Sequence, residues 1–373
     1  MAKGGVRKRA KSWSYYFDLA KVDGKRKIRE KSGFATKAEA EKALVIALNE
    51  YERHGKVFDP SDISFSDYID MWMDKYVDVS CKYNTKVRYL EIINAHIKPK
   101  LGNYKLKNIS PVMLQDFLSD MYRDGYARNT LKSVHGVFSK LFMMAVHPYG
   151  LIRENTMQYV TIKDYKFDEI KEDESLSKEQ IETVLNWLSV QEGLKHYVLP
   201  LSIAYMTGMR KSEVLGLTWD NIDFKNRLIK VRHNQVLKPG GKVELGTPKT
   251  KSSIRDIAIG KTLLGLLENE YDRQQVNYIN SDFVCIIQKD NKPMTKYHIE
   301  GLTKRIKKEL GIHLKFHALR HHFGSKLYEI GVPVTSIQEH MGHSTYEITM
   351  DTYVKNTNDA KYKTIELFEQ SLL

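Results

Sequence analysis

Apolar positions along this chain repeat with two different periods. From Trp13 to Ala20 aromatic residues alternate with others, Asp23-Gly24 is a tight-turn pair, and Lys25 to Ser32 alternates basic with other residues. That pattern predicts a hairpin with a third short strand. Thr36-Lys37-Ala38-Glu39 reads as a capping box, and Ala40, Ala43, Leu44, Ala47, Leu48 and Tyr51 follow at helical spacing. The helix is expected to cover one face of the small sheet and leave the other face basic.

After Gly55 to Ile63, a stretch with Pro60 that reads as a linker, the period stays near that of a helix to about Ile162. Ser64 or Ser66 caps a helix carrying Phe65, Tyr68, Ile69, Trp72, Met73 and Tyr76. Asn84 or Thr85 opens a second with Tyr89, Leu90, Ile93 and Ile97. Ser110-Pro111 starts a third with Met113, Leu114, Phe117, Leu118 and Met121. Asn129 caps a fourth with Leu131, Val134, Val137, Phe138, Leu141, Phe142 and Ala145. Four amphipathic helices with short connections predict a compact bundle whose apolar stripes form a core.

Lys163 to Glu174 is strongly charged without apolar periodicity and reads as a second linker. The chain therefore divides into an α+β domain over 1–57, an all-α domain over 61–163 and a mixed, mainly α domain over 174–373. In the third, Ser177 to Gln180 is a capping box before Ile181, Val184, Leu185 and Leu188, and Tyr197 to Thr207 is a buried helix ending at Gly208. Arg227 to His233, Lys242 to Leu245 and Ser253 to Ile259 read as short antiparallel strands. The last helix, Asp359 to Leu373, carries Ile365, Leu367, Phe368 and Leu372 and is expected to pack on a neighbouring subunit.

Composition narrows the function. The 373 residues are 42% hydrophobic, ample for packed cores, and 59 Lys+Arg against 46 Asp+Glu leave a formal charge of +13. A pI near 9.3 favours a polyanionic partner. The longest apolar stretch, Val198 to Met209, is interrupted by Pro200, Ser202, Thr207 and Gly208 and falls short of the ~20 residues that span a bilayer, so a membrane role is not expected. The basic start is followed by no apolar segment, so neither is a secretory leader. Cys81 and Cys285 form no CxxC or zinc spacing, which fits a reduced, cytoplasmic protein.

One tyrosine organises the candidate chemistry. Tyr353 lies ten residues after His343 in Met341-Gly342-His343, downstream of His317-Ala318-Leu319-Arg320-His321-His322-Phe323 and of Thr207-Gly208-Met209-Arg210-Lys211-Ser212-Glu213. Moving a phosphodiester needs an in-line nucleophile, positive charge on the non-bridging oxygens and a proton for the leaving group. Arg210 and Arg320 are suited to clamp the phosphate, because a guanidinium is always charged and grips bidentately. His317 and His343 can exchange protons or donate to a phosphate oxygen, and Lys251, in a turn between strands, can reach a leaving 5′ oxygen. Nearby cations would favour the Tyr353 phenolate without a metal. His317 and His321 have i, i+4 spacing, but no clear ligand set accompanies them, so no metal or cofactor is expected.

These segments, with Thr-Gly-Met-Arg-x-x-Glu at 207–213, His-x-Leu-Arg-His-x-Phe at 317–323, Met-Gly-His at 341–343 and the tyrosine ten residues on, resemble the tyrosine recombinase, or phage integrase, family. The resemblance covers essentially the whole chain. It implies an arm-site-binding domain, a helical core-binding domain and a catalytic domain of the tyrosine recombinase fold, as in integrases of phages and conjugative transposons. It also implies roles: Arg210 and Arg320 clamp the phosphate, His317 is the acid/base residue, His343 a phosphate ligand, Tyr353 the nucleophile, Glu213 an orienting residue and Lys251 the hairpin general acid, with Lys249 open as its alternative. The implied reaction passes through a 3′-phosphotyrosyl bond and a Holliday junction, without ATP or metal. The implied partners are double-stranded DNA and three further copies of the chain, with an excisionase and a host DNA-bending protein as possible helpers. A type IB topoisomerase and a non-catalytic DNA-binding regulator are the alternative classes.

Overall fold

The computed structural model describes residues 4–22, 25–54, 61–167, 176–248 and 250–342. Asp23-Gly24, Lys249, His343, Tyr353 and the expected last helix lie outside the described residues. The chain divides into two compact units, 1–169 and 170–373. Among the described residues no helix is long and apolar enough to cross a membrane.

The first unit opens with three antiparallel strands, β1 (Gly4–Arg9), β2 (Ser12–Val22) and β3 (Lys25–Phe34), in the order β1-β2-β3, followed by helix α1 (Lys37–His54). The predicted capping box forms: Glu39 N donates to Thr36 Oγ1 at 3.2 Å and Thr36 N donates to the Glu39 carboxylate at 3.3 Å. Alternation sends Tyr15 and Phe17 into a small core with Leu44 and Ala47 of α1. On the opposite face Arg7 and Arg9 converge on Glu30, whose carboxyl is held down at about 2 by its bond from Arg7. The face expected to be basic therefore carries its own counter-charge.

The helical part of this unit includes α2 (Phe65–Trp72), α3 (Tyr83–Ile92), α4 (Pro111–Arg123) and α5 (Arg128–Val146). Ser64 and Ser110 cap α2 and α4 through bonds from Asp67 N and Met113 N. Two caps differ from expectation. Lys82 precedes α3 and Ala127 precedes α5, so neither Asn84, Thr85 nor Asn129 performs that role, and neither actual cap residue makes a side-chain cap bond. Both α2 and α3 run on into π-helical turns, Met73–Val77 and Ile93–Ile97. The polar tips of buried aromatics find partners: Tyr68 donates to Leu141 O at 2.6 Å and Trp72 Nε1 to Met144 Sδ at 3.1 Å. Tyr165 and Phe167, within the charged stretch after the bundle, pack against Tyr122 of α4.

In the second unit, Ser177 caps α6 (Lys178–Val190) with the predicted reciprocal bond to Gln180. The central element is α7 (Val198–Thr207), in which Leu199, Leu201, Ile203 and Ala204 are all buried. Removing a side chain such as Leu201 or Ile203 from water contributes about 1.5–3 kcal/mol. After α8 (Lys211–Leu215) the strands make two sheets rather than one. β4 (Ile222–Asp223), β5 (Leu228–Val231) and β8 (Arg255–Ala258) form the first, while β6 (Asn234–Leu237) pairs with β7 (Val243–Gly246) in the second. The predicted strand around 242–245 thus pairs with a neighbour across the turn Pro239–Gly241. Helices α9 (Lys261–Val276), α10 (Lys296–Leu310), α11 (Phe316–Glu329) and α12 (Val334–Met341) complete the unit, with α11 packed along α7.

Candidate active site

The end of α7 sets the site's geometry. Its cap, Gly208, has φ 65°, and a Cβ there would stand 2.7 Å from both Met341 Sδ and Phe323 Cδ1. Glycine is required twice over, by backbone conformation and by the approach of α11 and α12. The chain then turns so that Arg210 precedes α8. Arg210 N donates to Glu213 Oε2 at 3.0 Å and its Nη1 to Oε1 at 2.8 Å.

Two arginines separated by 110 residues of chain meet at one turn. Arg210 Nη2 donates to Gly342 O at 2.8 Å, and Arg320 Nη2 donates to Met341 O at 2.6 Å. Arg320 is 2% exposed, and its Nη1 donates to Gly208 O at 2.6 Å. Arg210 is only half-buried, which leaves an edge of its planar fork open to a ligand. The two guanidinium groups anticipated as a clamp are therefore brought together, immediately before the segment that leads to His343 and Tyr353.

Glu213 lies between cations. Burial pushes its carboxyl up, but Arg255 and Arg210 outweigh burial and hold it below the ordinary carboxylate value. The Arg255–Glu213 pair, Nη2 to Oε2 at 3.0 Å, is almost wholly enclosed. Arg255 was not among the anticipated residues, nor was His340, which donates from Nε2 to Thr207 O at 3.1 Å and stacks on Phe323. A signal for Arg255 was present: it shares the inward face of β8 with Ile257, where an arginine must have a partner.

His317 stands one turn before Arg320 on α11 and meets His321 edge to face. Loss of water, with the cationic neighbours His321, Arg320, Arg210 and Lys211, pushes its imidazole down to about 4. The residue as a whole remains exposed, so water tempers the cationic part of that effect, but the direction follows from both causes. His322, by contrast, is structural, with Nδ1 2.9 Å from Leu176 O. Beside His317 opens a cavity of about 390 Å³ walled by Lys211, Lys304, Lys307, His313 and Lys315. Lys251 begins a short 3-10 turn, Lys251–Ser253, just before β8. Among the described residues no cluster of three His, Cys, Asp or Glu could hold a metal.

Positive charge from Arg210 and from the lysines around the cavity, with an imidazole beside them, is chemically suited to an anionic ligand such as a phosphodiester. Comparison with known proteins bears on the family of the chain. The phage integrase family matches residues 174–359, its N-terminal SAM-like domain residues 64–122, and an arm DNA-binding domain residues 6–51. The chain belongs to the phage integrase family, the tyrosine recombinases. It is similar to a tyrosine recombinase XerC-like protein of Caldanaerobacter subterraneus, 28% identical over 91% of each chain. It is also similar to the ICEBs1 integrase of Bacillus subtilis, 26% identical over 78% of each. Among solved structures, the Tn1549 transposon integrase in complex with transposon right end DNA has TM-score 0.70 at 22% identity, over 82% of this chain and 99% of that one. A lambda integrase tetramer bound to a Holliday junction has TM-score 0.57 at 15% identity, over 95% and 97%. These two likenesses concern the fold.

Proposed function

We propose that this chain is a site-specific recombinase that integrates and excises a mobile DNA element, acting in the cytoplasm as a tetramer on paired DNA sites. The observation that carries the proposal is the convergence of Arg210 and Arg320 on the carbonyls of Gly342 and Met341. A phosphate held there would lie at the root of the segment bearing Tyr353. The Tyr353 oxygen attacks phosphorus, the bond to the 5′ oxygen breaks, and a 3′-phosphotyrosyl ester forms. The tyrosyl proton is lost and the departing 5′ oxygen gains one, for which Lys251 in its turn is the assigned donor. His317, neutral at pH 7, donates to a non-bridging oxygen or relays the tyrosyl proton. His343 is assigned as a further phosphate ligand. Attack by the partner strand's 5′ hydroxyl reverses these steps, and two rounds of exchange pass through a Holliday junction. Bond energy is kept in the ester, so the chemistry needs neither ATP nor metal.

The domain order supports a division of labour, with residues 1–57 on arm sites, 61–163 on core sites and 174–373 on the reaction. The test is a nicked suicide substrate carrying a core site, whose cut strand cannot be rejoined. Wild-type protein should accumulate as a covalent DNA adduct; undiminished trapping by Tyr353→Phe would refute the nucleophile.

A further inference from the structure

Arg255 is buried at the first position of β8, yet its guanidinium is shared among three separate elements. Nη2 donates to Glu213 Oε2 at 3.0 Å and Nη1 lies 3.4 Å from Oε1, at the start of α8. Nη1 also donates to Ser253 O at 3.1 Å, in the turn that Lys251 opens. Nε donates to His340 O at 2.6 Å, in the last turn of α12. We propose that Arg255 is a positioning residue of strand cleavage, which holds the Lys251–Ser253 turn in register with the Arg210–Glu213 pair so that the proton donor and the phosphate clamp address one phosphodiester. The proposal rests on the recombinase reading and on assignment of the donor to Lys251.

Three physical features support it. The carboxylate that orients Arg210 is the same one that binds Arg255, so Glu213, itself held by Arg210, is the fixed point against which Arg255 registers the turn. Only a planar fork reaches acceptors in three directions; a lysine ammonium would keep the charge and lose the span. The closeness is also built into the backbone. A Cβ on Gly342 would stand 2.8 Å from Ser252 O and 3.1 Å from Arg255 Nη1, so glycine there lets α12 end against both the turn and the guanidinium. A buried ion pair is by itself weak grounds for stability, since apolar residues of similar volume often serve as well. Its presence here is accounted for by what it aligns.

The donor's task is to protonate the departing 5′ oxygen. If that oxygen is replaced by sulfur, in a bridging 5′-phosphorothiolate at the scissile position, the thiolate departs without a proton, because a thiol is far more acidic than an alcohol, with pKa about 8.5. A lesion confined to proton delivery is therefore relieved on the sulfur substrate, whereas a lesion of the clamp is not. Single-turnover cleavage by full-length Arg255→Lys and Arg255→Gln is to be compared on both DNAs, with equilibrium binding measured in parallel. Arg255→Lys retains the charge beside Glu213 and is the variant whose fold is protected; thermal unfolding verifies that it is intact. We expect binding within about twofold of wild type and cleavage of ordinary DNA reduced on the order of 10²-fold, with most of that loss recovered on the sulfur substrate. Lys251→Ala should show the same recovery and Arg210→Lys should not. An equal deficit on both substrates, or no deficit in Arg255→Lys, overturns the proposal. Tyr353→Phe must form no adduct with either DNA; an adduct there fails the recombinase reading itself, independently of Arg255.

Discussion

Arg320 donates to the carbonyl of Gly208 at 2.6 Å, which ties the buried guanidinium on α11 to the left-handed residue that ends α7. The placement of Arg320 thus depends on a left-handed backbone conformation that glycine adopts without strain. Gly208→Ala must accommodate φ 65° and a Cβ 2.7 Å from both Met341 Sδ and Phe323 Cδ1. Strain of this kind costs about 1–3 kcal/mol before the two side chains move. Denaturant unfolding should show a loss of at least that size, and suicide-substrate cleavage should fall with it. A variant with wild-type stability and cleavage would show that Gly208 is not what sets Arg320.

Glu213 is shared by Arg210 and Arg255 and is 4% exposed. Removing one partner of a buried charge set leaves the others uncompensated, at a cost of about 3–5 kcal/mol. Glu213→Gln should therefore unfold at lower denaturant at pH 7 and cleave more slowly. The pH dependence has a defined sign. The folded carboxyl is depressed below 4.5, so its contribution is complete above that value and is lost as pH falls through the folded value. The gap between wild type and Glu213→Gln should accordingly narrow below pH 4.5. A constant gap from pH 7 to pH 3 would mean that the carboxylate's charge contributes nothing.

Local signals were the most legible part of this fold. Thr36, Ser64, Ser110 and Ser177 announced their helices because a cap bonds only within its own four residues. Arg210, Arg320 and Glu213 were legible through their motifs, although only the fold shows that both arginines bond to the turn at Met341 and Gly342. What escaped depended on pairing at a distance. β6 carries Gln235 at a buried position, and its polarity masked a strand until Leu215 O and Met294 O are seen to accept from it. Arg255 and His340 were not singled out: the strand pattern around Ile257 signals that Arg255 faces inward, but nothing local names the partners 42 and 133 positions away. The π turns of the bundle leave no composition signature, since they keep the same apolar stripe as the helices they interrupt.

His317 is held neutral at pH 7 in the free protein, its imidazole pushed down to about 4. A phosphate placed beside it adds negative charge and raises that value, so DNA binding below pH 7, between the free and bound values, should take up a proton. Affinity for a core site should consequently increase as pH falls from 7 towards 5, and His317→Gln should lose that slope. The stability of the free protein moves the other way: a folded value below the ordinary 6.5 makes the native state lose ground as pH drops from 6.5 towards 4. Calorimetry in buffers of different ionisation heat counts the proton directly. Equal uptake by wild type and His317→Gln would assign the proton to another group.

The cavity beside His317 is lined by Lys304 and Lys307 of α10 and Lys211 of α8, with Glu300, 4.0 Å from Lys211, as the acidic residue among them. Ammonium groups gathered around a concave surface next to the proposed phosphate clamp are expected to meet a neighbouring backbone phosphate. Such contacts carry no base information, and they act by releasing counterions from DNA. Each lysine that neutralises a phosphate contributes about 0.9 to the slope of log affinity against log salt. Lys304→Ala and Lys307→Ala should each lower the slope by about that amount and weaken binding to the core site and to unrelated DNA equally. Their cleavage rate at saturating protein should stay close to wild type, because neither residue touches the clamp. If both variants keep the wild-type salt slope, the basic cavity does not hold DNA.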